Sequence, residues 1–168
     1  NDFGINTYKE ETKKTIFLDY GGANVAKALR AGHLRSPNIG EALKRLASAL
    51  GNKTMADAHL GDWGRPIGLV MLEIKKRNPE LPYFDESFEG EYPAESPVTN
   101  DDLMELYPYA STKAKEDETY MEEAREMTAK FQGREKGLIA LWNHIMDVSK
   151  TDIKRIYANG DKSYSLFK

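Results

Sequence analysis

The sequence predicts an α/β fold built on parallel strands and carrying a mainly helical acidic insertion, and three observations lead there. Lys14–Tyr20 (KTIFLDY) is β-branched and aromatic and stops at Gly21-Gly22, which reads as a buried strand ending in a turn. A helical pattern follows, and Lys53–His59 (KTMADAH) then reads as a second, less strongly patterned strand. Strand, helix and strand in that order form a βαβ unit, with parallel pairing and a right-handed crossover. The third observation is charge. Between Glu80 and Glu126 fifteen acidic residues face only Lys113, Lys115 and Arg125, a balance of −12, and the second half of that stretch has a helical pattern.

A chain of 168 residues suits one structural unit with a real core. Hydrophobic content of 40% and charged content of 30% are those of a globular chain. The formal charge is −3, so the residues outside the acidic stretch carry +9. A solvated acidic face is the plain reading; a basic remainder turned toward a nucleotide or RNA is the functional one, and composition leaves both open. The absence of cysteine excludes disulfides, thiolate zinc sites, iron–sulfur clusters and thiol nucleophiles. Three histidines (His33, His59, His144) leave little material for a metal centre, and none is expected. No apolar run is long enough to span a bilayer and NDFGINTYKEE has no apolar signal core, so the expected compartment is the cytoplasm.

The remaining elements follow in order. Ile39, Leu43, Leu46 and Leu50 form one apolar stripe on a helix that Gly51 closes, with Pro37 in its first turn. A GDWG turn at Gly61–Gly64 leads to a helix with Ile67, Val70, Met71 and Ile74 on one face, ended by Asn78-Pro79. Glu80–Val98 has no period, and its aromatics (Tyr83, Phe84, Phe88, Tyr92) mark an ordered excursion packed onto the body. Thr99, with Asp102 three residues on, reads as a capping box. Helices are expected at about 100–114 and 117–132, broken near Asp117 and ended by Gly133. The last long helix, at about 135–158, carries Leu138, Trp142, Ile145, Met146, Ile153 and Ile156. Asn159-Gly160 reads as a turn and Ser163–Phe167 as the start of a strand.

The loop Tyr20–His33 is the strongest place for chemistry. In doubly wound folds ligands bind at the carboxyl ends of the strands, where a helix N-terminus offers N–H groups to phosphates. Gly21, Gly22 and Gly32 allow close approach to the backbone. Neither GxGxxG nor GxxxxGK[ST] is present, and by spacing alone such a loop is more often a plain connection.

The run Leu18–Ala42 (LDYGGANVAKALRAGHLRSPNIGEA), followed by His59–Gly68 (HLGDWGRPIG), resembles the class I arginyl-tRNA synthetases, in which the blocks read roughly DYSSPNIAKPxHxGHLRS and HxGDWGxQxG. The similarity continues through YFDESFEGEYPAESPVTNDDLMELYP and LWNHIMDVSKTDIKRIY to SYSLFK, over practically the whole chain. It implies a Rossmann-like half-domain: 1–79 as the first half of a nucleotide-binding catalytic core, 80–134 as the insertion, and 135–168 as a long helix and strand returning to the core. The activity implied is ATP-dependent activation of arginine, with Mg²⁺, and its ligation to tRNA(Arg).

The resemblance also assigns roles. Asp19 and Asn24 match the residues that hold the α-amino group of arginine, and a carboxylate and an amide oxygen suit an ammonium. Their plain roles would be a strand-end carboxylate capping the loop and a turn residue. Gly32 and His33 match the second half of the HxGH signature, the glycine leaving room for ATP and the histidine stabilising phosphate charge as pyrophosphate leaves. Lys27 matches a lysine that helps bind ATP phosphates. His59, Asp62, Trp63 and Gly64 match the GDWG block, read as architectural, and His144 as a helix-surface or packed histidine.

The departures are specific. Arg30 stands where the family has the first signature histidine; it is still a phosphate donor, but bulkier. Ala28 replaces a proline, Ala31 an aliphatic residue, and Pro66 the glutamine after GDWG. The accessory domain, the second half of the nucleotide fold, a KMSK-like loop and the anticodon-binding domain of a complete member are not in these 168 residues. The expectation is that this chain alone does not charge tRNA and exposes apolar surface for association with itself or a completing chain. The alternative is a degenerate stand-alone paralog that binds a ligand, RNA or a partner without catalysis.

Overall fold

In the computed structural model, which describes residues 4–9, 11–27, 29 and 31–160, β1 (Thr15–Asp19) and β2 (Lys53–Asp57) form a parallel two-stranded sheet. The register runs from Thr15↔Lys53 to Asp19↔Asp57, and α1 (Arg35–Ala49) makes the crossover expected of a βαβ unit. The ladder extends beyond both ends, with Lys53 N donating to the Lys14 carbonyl at 2.9 Å and Tyr20 N to the Asp57 carbonyl at 3.1 Å. The described chain divides into two compact units. One holds residues up to Ala23, Leu29–Leu60 and those from Ile156 on; the other holds Asn24–Ala28 and Gly61–Arg155.

In the first unit, side chains alternate across the strands, and the sheet is less covered than the sequence suggests. Ile16 and Leu18 are half-buried, whereas the register partners Phe17 and Met55 share a face and are 60% and 49% exposed. The apolar stripe of α1 is likewise open: Ile39, Leu43 and Leu46 are exposed, and the helix buries Pro37, Gly40 and Glu41 instead. The cause is local. The Tyr20 ring lies against Gly40, where a Cβ would stand 2.1 Å from the ring, and the Tyr20 hydroxyl donates to Glu41 at 2.7 Å. Those two contacts fix which side of α1 faces inward.

The second unit contains α2 (Arg65–Arg77), α3 (Asn100–Glu116), α4 (Glu118–Gln132) and α5 (Lys136–Gly160) as far as Arg155. α2 buries Leu69 and Leu72 besides the expected Ile67, Val70, Met71 and Ile74, so it is apolar nearly all round, as a central helix must be. Gly68 permits its close approach to α4, since a Cβ there would lie 1.9 Å from the Thr128 hydroxyl. The buried Glu73 is satisfied by the Tyr120 hydroxyl and by Arg77 Nε, each at 2.8 Å, and Arg77 also donates to Glu105 at 2.8 Å. Burial and the Glu73 carboxylate together push the Tyr120 phenol far above its ordinary range.

Thr99 and Asp102 form the reciprocal capping box, with bonds of 3.2 and 2.7 Å. Asp117 ends α3 and caps α4 through the Tyr120 N–H, which explains the break between the two helices. Tyr83 of the excursion is buried and stacked on Tyr92 at 5.3 Å. α5 continues through Asn159-Gly160, where the sequence suggested a turn; the strand read at Ser163–Phe167 lies outside the described residues. Among the described residues no helix is long and apolar enough to cross a membrane.

The two kinds of leucine separate in a stability measurement. Leu141→Ala, which empties a fully buried site, is expected to cost about 2–5 kcal/mol, and Leu46→Ser, at an exposed one, to stay within about 0.5 kcal/mol. Urea unfolding of both variants checks this, and an equal cost would contradict the open face of α1.

Candidate active site

Parallel pairing in register brings the last residues of β1 and β2 side by side. Asp19 and Asp57 therefore stand opposite each other at the carboxyl ends of the strands, both exposed. His59 Nε2 lies 3.4 Å from Asp57 and 3.9 Å from Asp19, an ion pair whenever the ring is protonated. The sequence placed His59 with the architectural GDWG block; its position beside Asp19 follows only from the register. Asp57 also accepts from the Ala58 N–H at 2.8 Å.

The chain leaves β1 through a tightly held turn. Gly21 adopts φ +84°, a conformation that strains any residue with a Cβ, and its carbonyl accepts from Tyr157 at 3.4 Å. Gly22 is as constrained, because a Cβ there would come within 2.9 Å of the His59 carbonyl. Tyr20 anchors the strand end through Glu41, which also accepts from Arg45 at 3.0 Å and pairs with Lys44 at 3.6 Å. Burial works to raise the Glu41 pKa, but the Tyr20 and Arg45 hydrogen bonds and the neighbouring cations outweigh it and hold the group below its ordinary 4.5.

Gly32 and His33 lie in a 3₁₀ turn, Ala31–Leu34, that runs directly into α1. Gly32 is exposed, and a Cβ there would meet open space, so its surroundings can admit a ligand. Asp19 and Gly32 line one cleft of roughly 570 Å³, together with Arg35, Ser36, Phe17 and Ile39. Arg35 and Ser36 are polar groups of this cleft that the sequence did not single out; their signal was only their place directly after the signature turn.

Asn24 and Lys27 belong to the second unit. Asn24 makes an isolated parallel bridge with Gly61, whose carbonyl accepts from Val25 N at 3.0 Å, and its side chain lies over the Gly61 backbone. The next residue, Ala26, is buried at φ +63°, a left-handed conformation costing roughly 1 kcal/mol or more, and its N–H donates to Ser149 at 3.2 Å. Lys27 places its ammonium 4.5 Å from the centre of the Tyr107 ring. Arg30 and Ala28 lie outside the described residues.

The GDWG turn is tied into the helices around it. The Asp62 carbonyl accepts from Trp142 at 2.9 Å and the Trp63 carbonyl from Gln132 at 3.0 Å. Trp63 packs on Phe131 with ring centres 4.4 Å apart. Pro66 falls in the first turn of α2, where a missing N–H costs nothing, so this departure fits the helix that carries it. His144 packs edge-on against Tyr83, with Nε2 3.0 Å from the Pro93 carbonyl.

Comparison with known proteins gives this geometry its family. The model for tRNA synthetases class I (R), catalytic domain, matches residues 4–165. The chain belongs to the class I arginyl-tRNA synthetase family. It is 53% identical over 154 residues to an arginine–tRNA ligase of Alkaliphilus oremlandii, covering 92% of this chain and 26% of that protein. A second, from Agathobacter rectalis, is 50% identical over 161 residues, covering 95% of this chain and 27% of the relative. Among solved structures, the arginyl-tRNA synthetase of Plasmodium falciparum aligns with a TM-score of 0.60 at 28% identity, over 91% of this chain and 24% of that one. The chain thus spans about a quarter of the length of the synthetases it matches. The parallel βαβ pair with its helical partner unit is accordingly part of a class I synthetase catalytic domain.

The Glu41 anchor has a pH signature. Its folded-state pKa is depressed, so its stabilisation is fully present above the unfolded value and disappears as pH falls through the folded one. Glu41→Gln should therefore destabilise the chain at pH 7, and its gap to the parent should close as pH falls below 4.5 and through the depressed folded value. Denaturant midpoints across that range measure it, and a gap independent of pH would contradict the assignment.

Proposed function

We propose that the chain carries amino-acid- and ATP-handling residues of an arginine–tRNA ligase. The observation that carries the reading is the cleft at the carboxyl end of β1, where an exposed strand-end carboxylate, Asp19, shares a wall with the unobstructed Gly32. Sites at strand carboxyl ends are where open α/β sheets receive ligands.

In this reading the Asp19 carboxylate takes the α-ammonium of arginine by a charge-assisted hydrogen bond, and the Asn24 amide oxygen serves the same group. A carboxylate oxygen of arginine attacks the α-phosphorus of ATP, a P–O bond forms, and the bond to pyrophosphate breaks. His33 and Lys27 donate to the phosphate oxygens as charge develops, Gly32 leaves room for the nucleotide, and Arg30, which replaces the signature histidine, is a further phosphate donor. In the complete ligase a hydroxyl of the tRNA terminus would then attack the arginyl carbonyl, the ester C–O bond forming as the bond to AMP breaks. Mg²⁺ bound with the nucleotide would offset phosphate charge.

Isothermal titration of the 168-residue chain with arginine, with and without ATP and Mg²⁺, tests the assignment. Saturable arginine binding is expected, weakened at least about tenfold in Asp19→Asn, an isostere that removes only the charge. Arginine affinity unchanged by Asp19→Asn would contradict it.

A further inference from the structure

Lys27 is half-buried, and Tyr107 takes up its ammonium through both the ring face and the phenol oxygen. The Tyr107 ring on α3 lies 4.5 Å away, centre to charge. A ring attracts a cation through its quadrupole without neutralising it, so the ammonium keeps its charge and its capacity to donate. A carboxylate in that place would have paired the charge and competed with any anion. Ser111, one turn further along α3, and Arg65, the first residue of α2, act on the same phenol. Burial works to raise the Tyr107 pKa, but Lys27, Ser111 and Arg65 outweigh it and hold the phenol below its ordinary 10.0. Within one unit, Lys27 at the ring and Ser111 and Arg65 acting on its phenol thus bring together two cations and two hydroxyls, the phenol's included, a set whose chemistry suits a phosphate.

The geometry points to Tyr107 as a positioning residue for phosphate recognition, its ring holding the Lys27 ammonium so that a flexible side chain is ordered before the anion arrives. This rests on the reading of Lys27 as a ligand of ATP phosphates. A lysine has a long rotatable stem, and ordering it in advance removes part of the entropy that binding would otherwise have to overcome. Sequence alone could not show it, because Tyr107 sits far along the chain in the acidic segment and has no role in the signature blocks.

The experiment titrates ATP with Mg²⁺, and arginine separately, into the parent chain, Lys27→Met, Tyr107→Phe, Tyr107→Leu and the Lys27→Met/Tyr107→Leu double variant. Lys27→Met should weaken ATP binding most. Tyr107→Leu should weaken it about three- to tenfold, while Tyr107→Phe, which keeps the ring, stays within about twofold of the parent. The double variant should bind ATP no more weakly than Lys27→Met alone, and arginine affinity should be the same throughout. A second readout needs no nucleotide: acylation of the Lys27 amine, followed by mass spectrometry, should be faster in Tyr107→Leu and at the parent rate in Tyr107→Phe. Parent-like ATP affinity in Tyr107→Leu beside a loss in Lys27→Met overturns the role of Tyr107 and leaves Lys27 standing. Equal losses in the Phe and Leu variants, or a parallel loss of arginine binding, overturn it as well. No effect of Lys27→Met, or no ATP binding by the parent, overturns the Lys27 reading and this inference with it.

Discussion

One buried contact decides how the first unit presents its chemistry: Tyr20 reaching from the end of β1 to Glu41 on α1. The phenol donates at 2.7 Å and the ring fills the space that the missing side chain of Gly40 leaves. The residue before Tyr20 is Asp19 and the residue after it begins the Gly21-Gly22 turn, so this anchor sets where the strand-end carboxylate stands and how the loop departs. It also sets the rotation of α1, and through it the side of the helix that faces outward. Removing the hydroxyl would leave a buried carboxylate short of a donor, a larger penalty than the hydrogen bond alone is worth.

The loop after β1 is held by backbone and polar contacts rather than by apolar burial alone. Asn24 and Val25 are tied to Gly61, and Ala26, in an uncommon backbone conformation, is secured by the Ser149 hydroxyl. Strain of this kind persists only where surrounding structure over-determines it, and such positions cluster at sites that work. Here it immediately precedes Lys27. The GDWG turn plays the supporting part, offering its carbonyls to Trp142 and Gln132 while Trp63 packs against Phe131.

Periodicity and capping chemistry made the helices, the parallel pair and the Thr99 capping box legible in the sequence, because each rests on residues a few positions apart. What covers an apolar stripe is not a local property. Ile39, Leu43 and Leu46 show that α1 is amphipathic, yet its inward side is set by Tyr20, which is 21 residues from Glu41 in the chain. The strand read as buried has Phe17 exposed for the same reason: composition speaks of propensity and not of neighbours. Of the candidate site, the glycines and signature residues stood out as a pattern, and Asp19 and Gly32 line one cleft. His59 beside Asp19 and Tyr107 beneath Lys27 depend on register and helix packing, and no short motif encodes either.

In the proposed reading, the carboxyl end of β1 receives the amino acid. Backbone amide shifts of the ¹⁵N-labelled chain, recorded while arginine is added, test it most directly. Saturable shifts are expected at Asp19, Tyr20, Gly32 and His33. Shifts confined to the acidic helices α3 and α4, with those four amides unmoved at saturation, would contradict it.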